Sequence, residues 1–256
     1  MTSAATPKRP ALIAHRGYAQ HFPENSIIGI EGAIQAGAQF VEVDVQMTAD
    51  GVPVLLHDAS LQRTAGIDQL VTDVPLDQVR TLDLNEPGRF RHTFPEVRIP
   101  TLAELVTLLK QSTVITTFVE VKPASLQQFG VTAVMNKVID ELRPDPTKFA
   151  IISFDQRAVE CARGHGLRVG LVLDAHRHEQ QGTVARLCPD YVFCDHRILA
   201  DEPAGIWLGP WQWAVYEVGD VELARRIAGL GADFIETMAI GELLRVDPFG
   251  GACPVV

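Results

Sequence analysis

The chain has 256 residues, 46% of them hydrophobic, and a formal net charge of −10 at pH 7. That is enough apolar material for one large domain spanning 1–256, a length at which α/β barrels commonly stay undivided. The acidic balance argues against nucleic acid or an anionic membrane as the main partner, but leaves room for an anionic small molecule, because the local charge of a cleft outweighs the global sum.

Cys161, Cys188, Cys194 and Cys253 form no CxxC pair, which points to thiols in a reducing compartment. The opening MTSAATPKRP lacks the apolar core of a signal peptide, and no apolar run is long enough to span a bilayer. The expectation is a soluble cytoplasmic protein without stable membrane insertion.

In chain order, β-branched runs predict strands at 11–17, 40–48, 114–122, 148–154, 167–173, 190–196, 211–218 and 233–238. Ser26 can cap a first helix whose Ile27, Ile30, Ile34 and Ala38 recur along one face, with Gly37 at its stop. Further helices are predicted at 101–112, 126–142, 155–166 and 220–231. Strand–helix alternation implies parallel strands covered by helices, and about eight strands in this length favour a (β/α)8 barrel over an open sheet. Two places break the rhythm. Residues 59–100 show turn residues and no clear helix, long for a βα loop and suited to covering a site. Between Asp195 and Trp211 the expected helix shrinks, so the sixth unit reads as irregular.

The chemistry starts in FVEVDVQMT, where valines alternate with Glu42 and Asp44. Residues i and i+2 share a strand face, so the valines pack under helices and both acids point toward the barrel axis. Two adjacent buried carboxylates are costly without a counter-charge. A hard divalent cation taking oxygen ligands supplies one; a salt bridge to an interior Arg or Lys, or an exposed edge strand, is the alternative. In FVEVKP, Glu120 and Lys122 repeat the arrangement, and Pro123 ends the strand there. Barrel active sites lie at the C-terminal ends of the strands, so Glu120 completes a three-carboxylate set with Lys122 beside it for an anion. A Glu–Lys surface pair is the plainer reading.

His15-Arg16-Gly17 and His57-Asp58 close two further apolar runs. A single such histidine is more often structural, but two, with an arginine fork and metal-type acids, suggest general acid and base around a phosphoryl group. The residues alone reach metal-assisted hydrolysis of a phosphate ester and no particular ester.

The set His15-Arg16-Gly17, Pro23-Glu24-Asn25-Ser26, Glu42-x-Asp44, Thr48-x-Asp50-Gly51-x-Pro53-Val54, His57-Asp58, Arg63-Thr64 and Glu120-x-Lys122 resembles, in order and spacing, the glycerophosphodiester phosphodiesterases. The resemblance implies a TIM barrel that splits glycerophosphodiesters into glycerol 3-phosphate and an alcohol. It implies Glu42, Asp44 and Glu120 as ligands of Mg²⁺ or Ca²⁺, His15 and His57 as acid and base, and Arg16 and Lys122 on the phosphate. It also implies a glycerol hydroxyl as first nucleophile through a cyclic phosphate, with residues 59–100 as the family's small insertion, a lid over the glycerol. Phe154 after Ser153, and Trp213 at the family's tryptophan position, are the expected substrate wall. The chain departs from the family at Tyr216, where Asn is usual, and at Met238, where Asp is usual; Glu217 and Glu236 are the candidates to compensate.

Other readings carry less. Asp174-Ala175-His176-Arg177-His178-Glu179 has metal-ligand residue types but reads as a solvated loop, and Trp207 and Trp211 read as core. Ser153 lacks a GxSxG elbow. Gly164-x-Gly166 precedes a strand, the reverse of a dinucleotide loop. The alternatives are a phosphodiesterase for lysophospholipid or another phosphodiester, and a non-catalytic barrel that binds a phosphate ligand.

Overall fold

A computed structural model describes residues 9–91, 93–175, 178–199 and 206–249. The elements run β1 (Ala11–Ala14), α1 (Ile27–Gln35), β2 (Phe40–Met47), β3 (Pro53–Leu55), α2 (Gln62–Ala65), α3 (Leu76–Val79) and α4 (Leu102–Leu109). They continue with β4 (Thr116–Val121), α5 (Pro123–Phe129), α6 (Val131–Leu142), β5 (Phe149–Ser153), α7 (Gln156–Gly164) and β6 (Arg168–Leu173). The last are α8 (His178–Leu187), β7 (Tyr191–Asp195), β8 (Gln212–Tyr216), α9 (Val221–Gly229), β9 (Phe234–Thr237) and α10 (Ile240–Val246).

All strands but β3 pair in parallel, in the order β1-β9-β8-β7-β6-β5-β4-β2, and β1 pairs with β2 to close the ring. This is the expected (β/α)8 barrel, and each of its eight parallel strands lies within a predicted run. The ninth strand, β3, folds back antiparallel on Val45–Met47, after the Asp50-Gly51 turn with Gly51 at φ +77°. It covers the part of β2 that projects past its pairing with β1 at Phe40 and Val41.

Strand parity sorts the core into two layers. Ile13, Phe118, Ala150, Ile152, Val172, Phe193, Ala214 and Phe234 fill the barrel interior. Val41, Val43, Val45, Val119, Val121, Ile151, Val192, Val215 and Ile235 face the helices. Glu42 and Asp44 therefore stand on the inner face, as the alternation predicts.

The helices begin where the sequence offers caps. The Gly29 amide donates to Ser26 Oγ at 3.0 Å at the start of α1. Thr101 and Glu104 form a reciprocal capping box at α4, which satisfies two amides that lack intrahelical partners. The predicted helix 126–142 is instead two helices. Gly130 sits at φ +83° between α5 and α6, and only glycine occupies such a backbone cheaply. Helices α8 and α10 were not expected.

The insertion 59–100 also differs from expectation. It contains the short helices α2 and α3, 3-10 and π turns, and its own apolar cluster of Leu61, Val71, Val74, Val79, Leu84 and Ile99 against Val54 and Leu56. Its helical segments are one turn or little more, too short to show a 3.6-residue periodicity. Between β7 and β8 the described residues include a 3-10 turn, His196–Leu199. Among the described residues no helix is long and apolar enough to cross a membrane.

Candidate active site

The site is built from the C-terminal ends of the strands. His15 and Arg16 leave β1 through a left-handed turn, with Arg16 at φ 54° and Gly17 at φ +79°. A Cβ at Gly17 would lie 2.8 Å from Gly29 C and 2.9 Å from Ile30 N, so the turn presses directly on the backbone of α1. The Tyr18 amide donates to Gly29 O and the Asn25 amide to Arg16 O. These bonds fold the loop 16–25 over the end of β2, where Asn25 Nδ2 donates to Asp44 Oδ2 at 2.8 Å and the Asp44 amide donates back to Asn25 Oδ1 at 3.0 Å.

Glu42, Asp44 and Glu120 are buried and each offers an oxygen, all within 4.8 Å of one another. Lys122 Nζ stands 2.6 Å from Glu120 Oε1 and 3.2 Å from Asp44 Oδ1, and Arg16 Nε lies 3.1 Å from Asp44 Oδ2. Burial works against Asp44 ionising, but Lys122 and Arg16 hold its carboxyl well below the usual range. Burial, then Asp44 and Glu236, raise Glu42 well above its ordinary 4.5; burial also raises Glu120, with Lys122 opposing it. Glu42 Oε1 is buried without a hydrogen-bond partner among the described residues. An uncompensated buried oxygen in an all-oxygen donor set fits a hard divalent cation.

His15 is almost fully buried, with Nε2 at 3.2 Å from Glu236 Oε1 and 3.8 Å from Glu42 Oε2. Burial, then the Arg16 charge, press its pKa well below 6.5, so the ring is neutral at pH 7. His57 follows β3. Its Nδ1 is 2.7 Å from Asp58 Oδ1, and its backbone carbonyl accepts from Gln46 Nε2 at 3.1 Å. Gln46 is itself held by Ser125 Oγ, which donates to its Oε1 at 2.6 Å. Asp58 thus holds the His57 ring while Gln46 holds its backbone.

Beside these groups lies a cavity of about 220 Å³. His15, Arg16, His57, Glu120, Lys122 and Glu236 line its charged side, and Ile152, Phe154, Val172 and Phe193 its apolar side. At the rim stand Tyr216, Glu217 and the Asp195–Arg197 pair, in which Arg197 Nη2 donates to Asp195 Oδ2 at 2.6 Å. Burial, then Glu120 and Asp195, push the Tyr216 phenol upward, so it stays protonated.

The structure places His15, Arg16, His57, Glu120, Lys122 and Phe154 on this cavity, with Glu42 and Asp44 gathered against Glu120. Trp213 does not line the cavity. On β8, Ala214 and Tyr216 face inward, so Trp213 faces the helices, where Nε1 donates to Trp207 O at 2.8 Å; Phe154 alone of the expected wall is present. Among the described residues of the insertion 59–100, none lines the cavity. The insertion packs instead against the loop 16–25, through Arg63 on Glu24 and through Glu86 Oε1, which accepts from the Glu24 amide at 2.6 Å. In the Asp174–Glu179 segment, His176 and Arg177 lie outside the described residues.

Residues given no role from the sequence include Gln46, Asn25 and Glu24, and Glu236 was named only as a compensating acid. Gln46 had a signal, because it follows Glu42 and Asp44 on the same face of β2.

Residues 15–182 match the sequence profile of the Glycerophosphoryl diester phosphodiesterase family. Glycerophosphodiester phosphodiesterase 1 of Rattus norvegicus is 44% identical over 99 residues, 39% of this chain and 30% of that protein. A glycerophosphodiester phosphodiesterase of Caldanaerobacter subterraneus subsp. tengcongensis is 34% identical over 130 residues, 51% of this chain and 52% of that protein. The chain therefore spans from about a third to half the length of these curated relatives. In fold it is similar to a phosphodiesterase of Oleispira antarctica in complex with the product sn-glycerol-3-phosphate, at TM-score 0.81 and 24% identity, with 93% of this chain and 97% of that one covered. The profile match over most of the barrel, with its paired acids and histidines, places this chain in the Glycerophosphoryl diester phosphodiesterase family.

Proposed function

We propose that the chain hydrolyses glycerophosphodiesters to glycerol 3-phosphate and an alcohol, with a divalent cation, Mg²⁺ or Ca²⁺, held by Glu42, Asp44 and Glu120. The observation that carries the reading is the gathering of Glu42, Asp44 and Glu120 beside a small cavity lined by Glu120, two histidines, Arg16 and Lys122. The bound cation would supply charge neutralisation at the phosphoryl oxygens. Arg16 and Lys122, both positive, receive the remaining phosphate charge.

The two histidines differ in environment, one buried and one held by a carboxylate. His15 is neutral by burial and serves as the base. His57 has Nδ1 fixed on Asp58, which leaves Nε2 to hand a proton to the leaving alkoxide. Phe154 and Ile152 give an apolar wall. The cavity, about 220 Å³, is smaller than the roughly 300–1,000 Å³ of drug-sized sites. That favours a compact glycerophosphodiester over a lysophospholipid whose acyl chain would need a groove.

The test is release of glycerol 3-phosphate from glycerophosphocholine and glycerophosphoethanolamine, followed by ³¹P NMR with Mg²⁺, Ca²⁺ or EDTA. Metal-dependent turnover is expected, and a transient cyclic phosphate if a glycerol hydroxyl attacks first. No turnover of any glycerophosphodiester with either cation sinks the reading in favour of a phosphate-ligand binder.

A further inference from the structure

Beside the carboxylate trio lies a second group with a different donor set. His15, Glu42 and Glu236 each offer a ligand atom, all within 4.8 Å of one another, and all three are buried. Each also has a polar atom left without a hydrogen bond among the described residues: His15 Nδ1, Glu42 Oε1 and Glu236 Oε2. Among the described residues Glu236 forms no ion pair with an arginine or lysine and lies against His15. His15 Nδ1 faces Glu217 Oε1 at 4.0 Å, so its Nε2 is the atom turned to the two acids, and the buried oxygens Glu42 Oε1 and Glu236 Oε2 are costly unless something binds them.

The donor set says what. The all-oxygen trio suits Mg²⁺ or Ca²⁺, whereas one imidazole with two carboxylates suits a borderline ion such as Zn²⁺. Tetrahedral zinc with bonds of about 2.0–2.2 Å spaces its donors about 3.3–3.6 Å apart. The present separations from His15 Nε2, 3.2 Å to Glu236 Oε1 and 3.8 Å to Glu42 Oε2, bracket that range. Glu42 has two oxygens and can serve both sites.

We propose that His15, Glu42 and Glu236 form a second divalent-cation site, selective for Zn²⁺-type ions, whose occupation takes the His15 imidazole out of catalysis. The site stands on its own geometry; the inhibitory consequence rests on the reading of His15 as a base. A neutral imidazole whose Nε2 lone pair is given to zinc cannot accept a proton from a substrate hydroxyl. The Ca²⁺ or Mg²⁺ enzyme is then switched off by a chemically different ion without losing its own.

The experiment starts from full-length protein saturated with Ca²⁺ and titrates Zn²⁺ by calorimetry, with metal content counted after dialysis. One Zn²⁺ per chain bound on top of retained Ca²⁺ is expected, and zinc X-ray absorption should show the outer-shell scattering of a coordinated imidazole. E236Q and H15Q should each weaken that site at least tenfold, with near-UV circular dichroism checking that they fold. The double variant H176A/H178A, which removes two histidines not among these three residues, should leave it within twofold. Zn²⁺ should inhibit turnover with the same midpoint as it binds.

Three results overturn the proposal: Zn²⁺ that displaces Ca²⁺ rather than joining it, zinc without an imidazole ligand, or binding lost in H176A/H178A and kept in E236Q. A protein that binds zinc as described but turns over no glycerophosphodiester keeps the site and refutes only the assigned activity.

Discussion

Arg63, from the insertion, forks onto Glu24, with Nη1 at 2.8 Å from Oε2 and Nη2 at 2.7 Å from Oε1. Its Nε donates to Asp58 Oδ2 at 2.6 Å, and Asp58 holds His57 while Glu24 accepts from Arg16 Nη1 at 3.2 Å. One guanidinium thus ties His57 and Arg16, on different loops, to one rigid frame. Removing an outer-shell partner of this kind typically costs about 10–100-fold in activity. R63A is expected to lower kcat/KM by that order and destabilise the fold by about 1–3 kcal/mol, because Glu24 is left buried with two hydrogen bonds fewer. R63K should recover little, since lysine cannot fork. Steady-state kinetics and urea unfolding check both, and an R63A enzyme with wild-type kcat/KM would refute the coupling.

The metal-free protein should lose stability as pH rises. Glu42 and Glu236 have folded-state pKa values well above the ordinary 4.5, chiefly through burial. The folded form therefore binds more protons than the unfolded chain once pH exceeds 4.5, and stability falls from there up through the raised pKa values. A cation on Glu42 favours its ionised form and opposes the loss. Denaturant midpoints measured from pH 4.5 to 8 should fall in EDTA and stay flatter in millimolar Ca²⁺. The gap between the two curves should widen with pH.

Glu24 has the opposite sign. Burial opposes its ionisation, but Arg63 and Arg16 outweigh it and depress the pKa below 4.5. Its contribution is complete above 4.5 and is lost as pH falls through the lowered value. E24Q should therefore flatten the acid limb of the stability curve below 4.5. An unchanged acid limb would show that the Arg63–Glu24 fork adds no net stability.

Gly17 tests the backbone that carries His15 and Arg16. A methyl there meets α1 backbone at 2.8 and 2.9 Å, at a φ of +79°. The left-handed conformation alone costs an L-residue about 1–2 kcal/mol, and the neighbour is backbone that cannot turn aside. G17A is expected to lose at least about 2 kcal/mol in urea unfolding and to lower kcat more than R63A does. G51A is the comparison: it shares a positive φ, +77°, but has open space around its Cβ, so it should cost only the conformational part.

The barrel was legible because its strands combine β-branched residues with period-2 alternation. The same parity that set Glu42 and Asp44 inward would have set Trp213 outward, had the register of β8 been anchored on Ala214 and Tyr216. Gly130 was missed as a break because apolar periodicity continues on both sides of it. Glu236 was harder. It reaches His15 only through ring closure, in which β9 pairs with β1 and Glu236 aligns with Ile13. That contact joins the two ends of the chain, and no local pattern encodes it.

Lys122 offers a prediction in which affinity and turnover move apart. Its ammonium sits 2.6 Å from Glu120 and 3.2 Å from Asp44, within the cage of carboxylates proposed to hold the cation. At an effective dielectric of 20, two unit charges about 4 Å apart interact by about 4 kcal/mol. Even a third of that repulsion against a divalent ion is roughly a tenfold change in affinity. K122M should therefore bind Ca²⁺ about tenfold more tightly by calorimetry. Its turnover should nevertheless fall by about a hundredfold or more, because the phosphate loses a positive partner. If Lys122 merely braced the two acids, its removal would let them splay and Ca²⁺ would bind more weakly, so the direction of the affinity change decides its role.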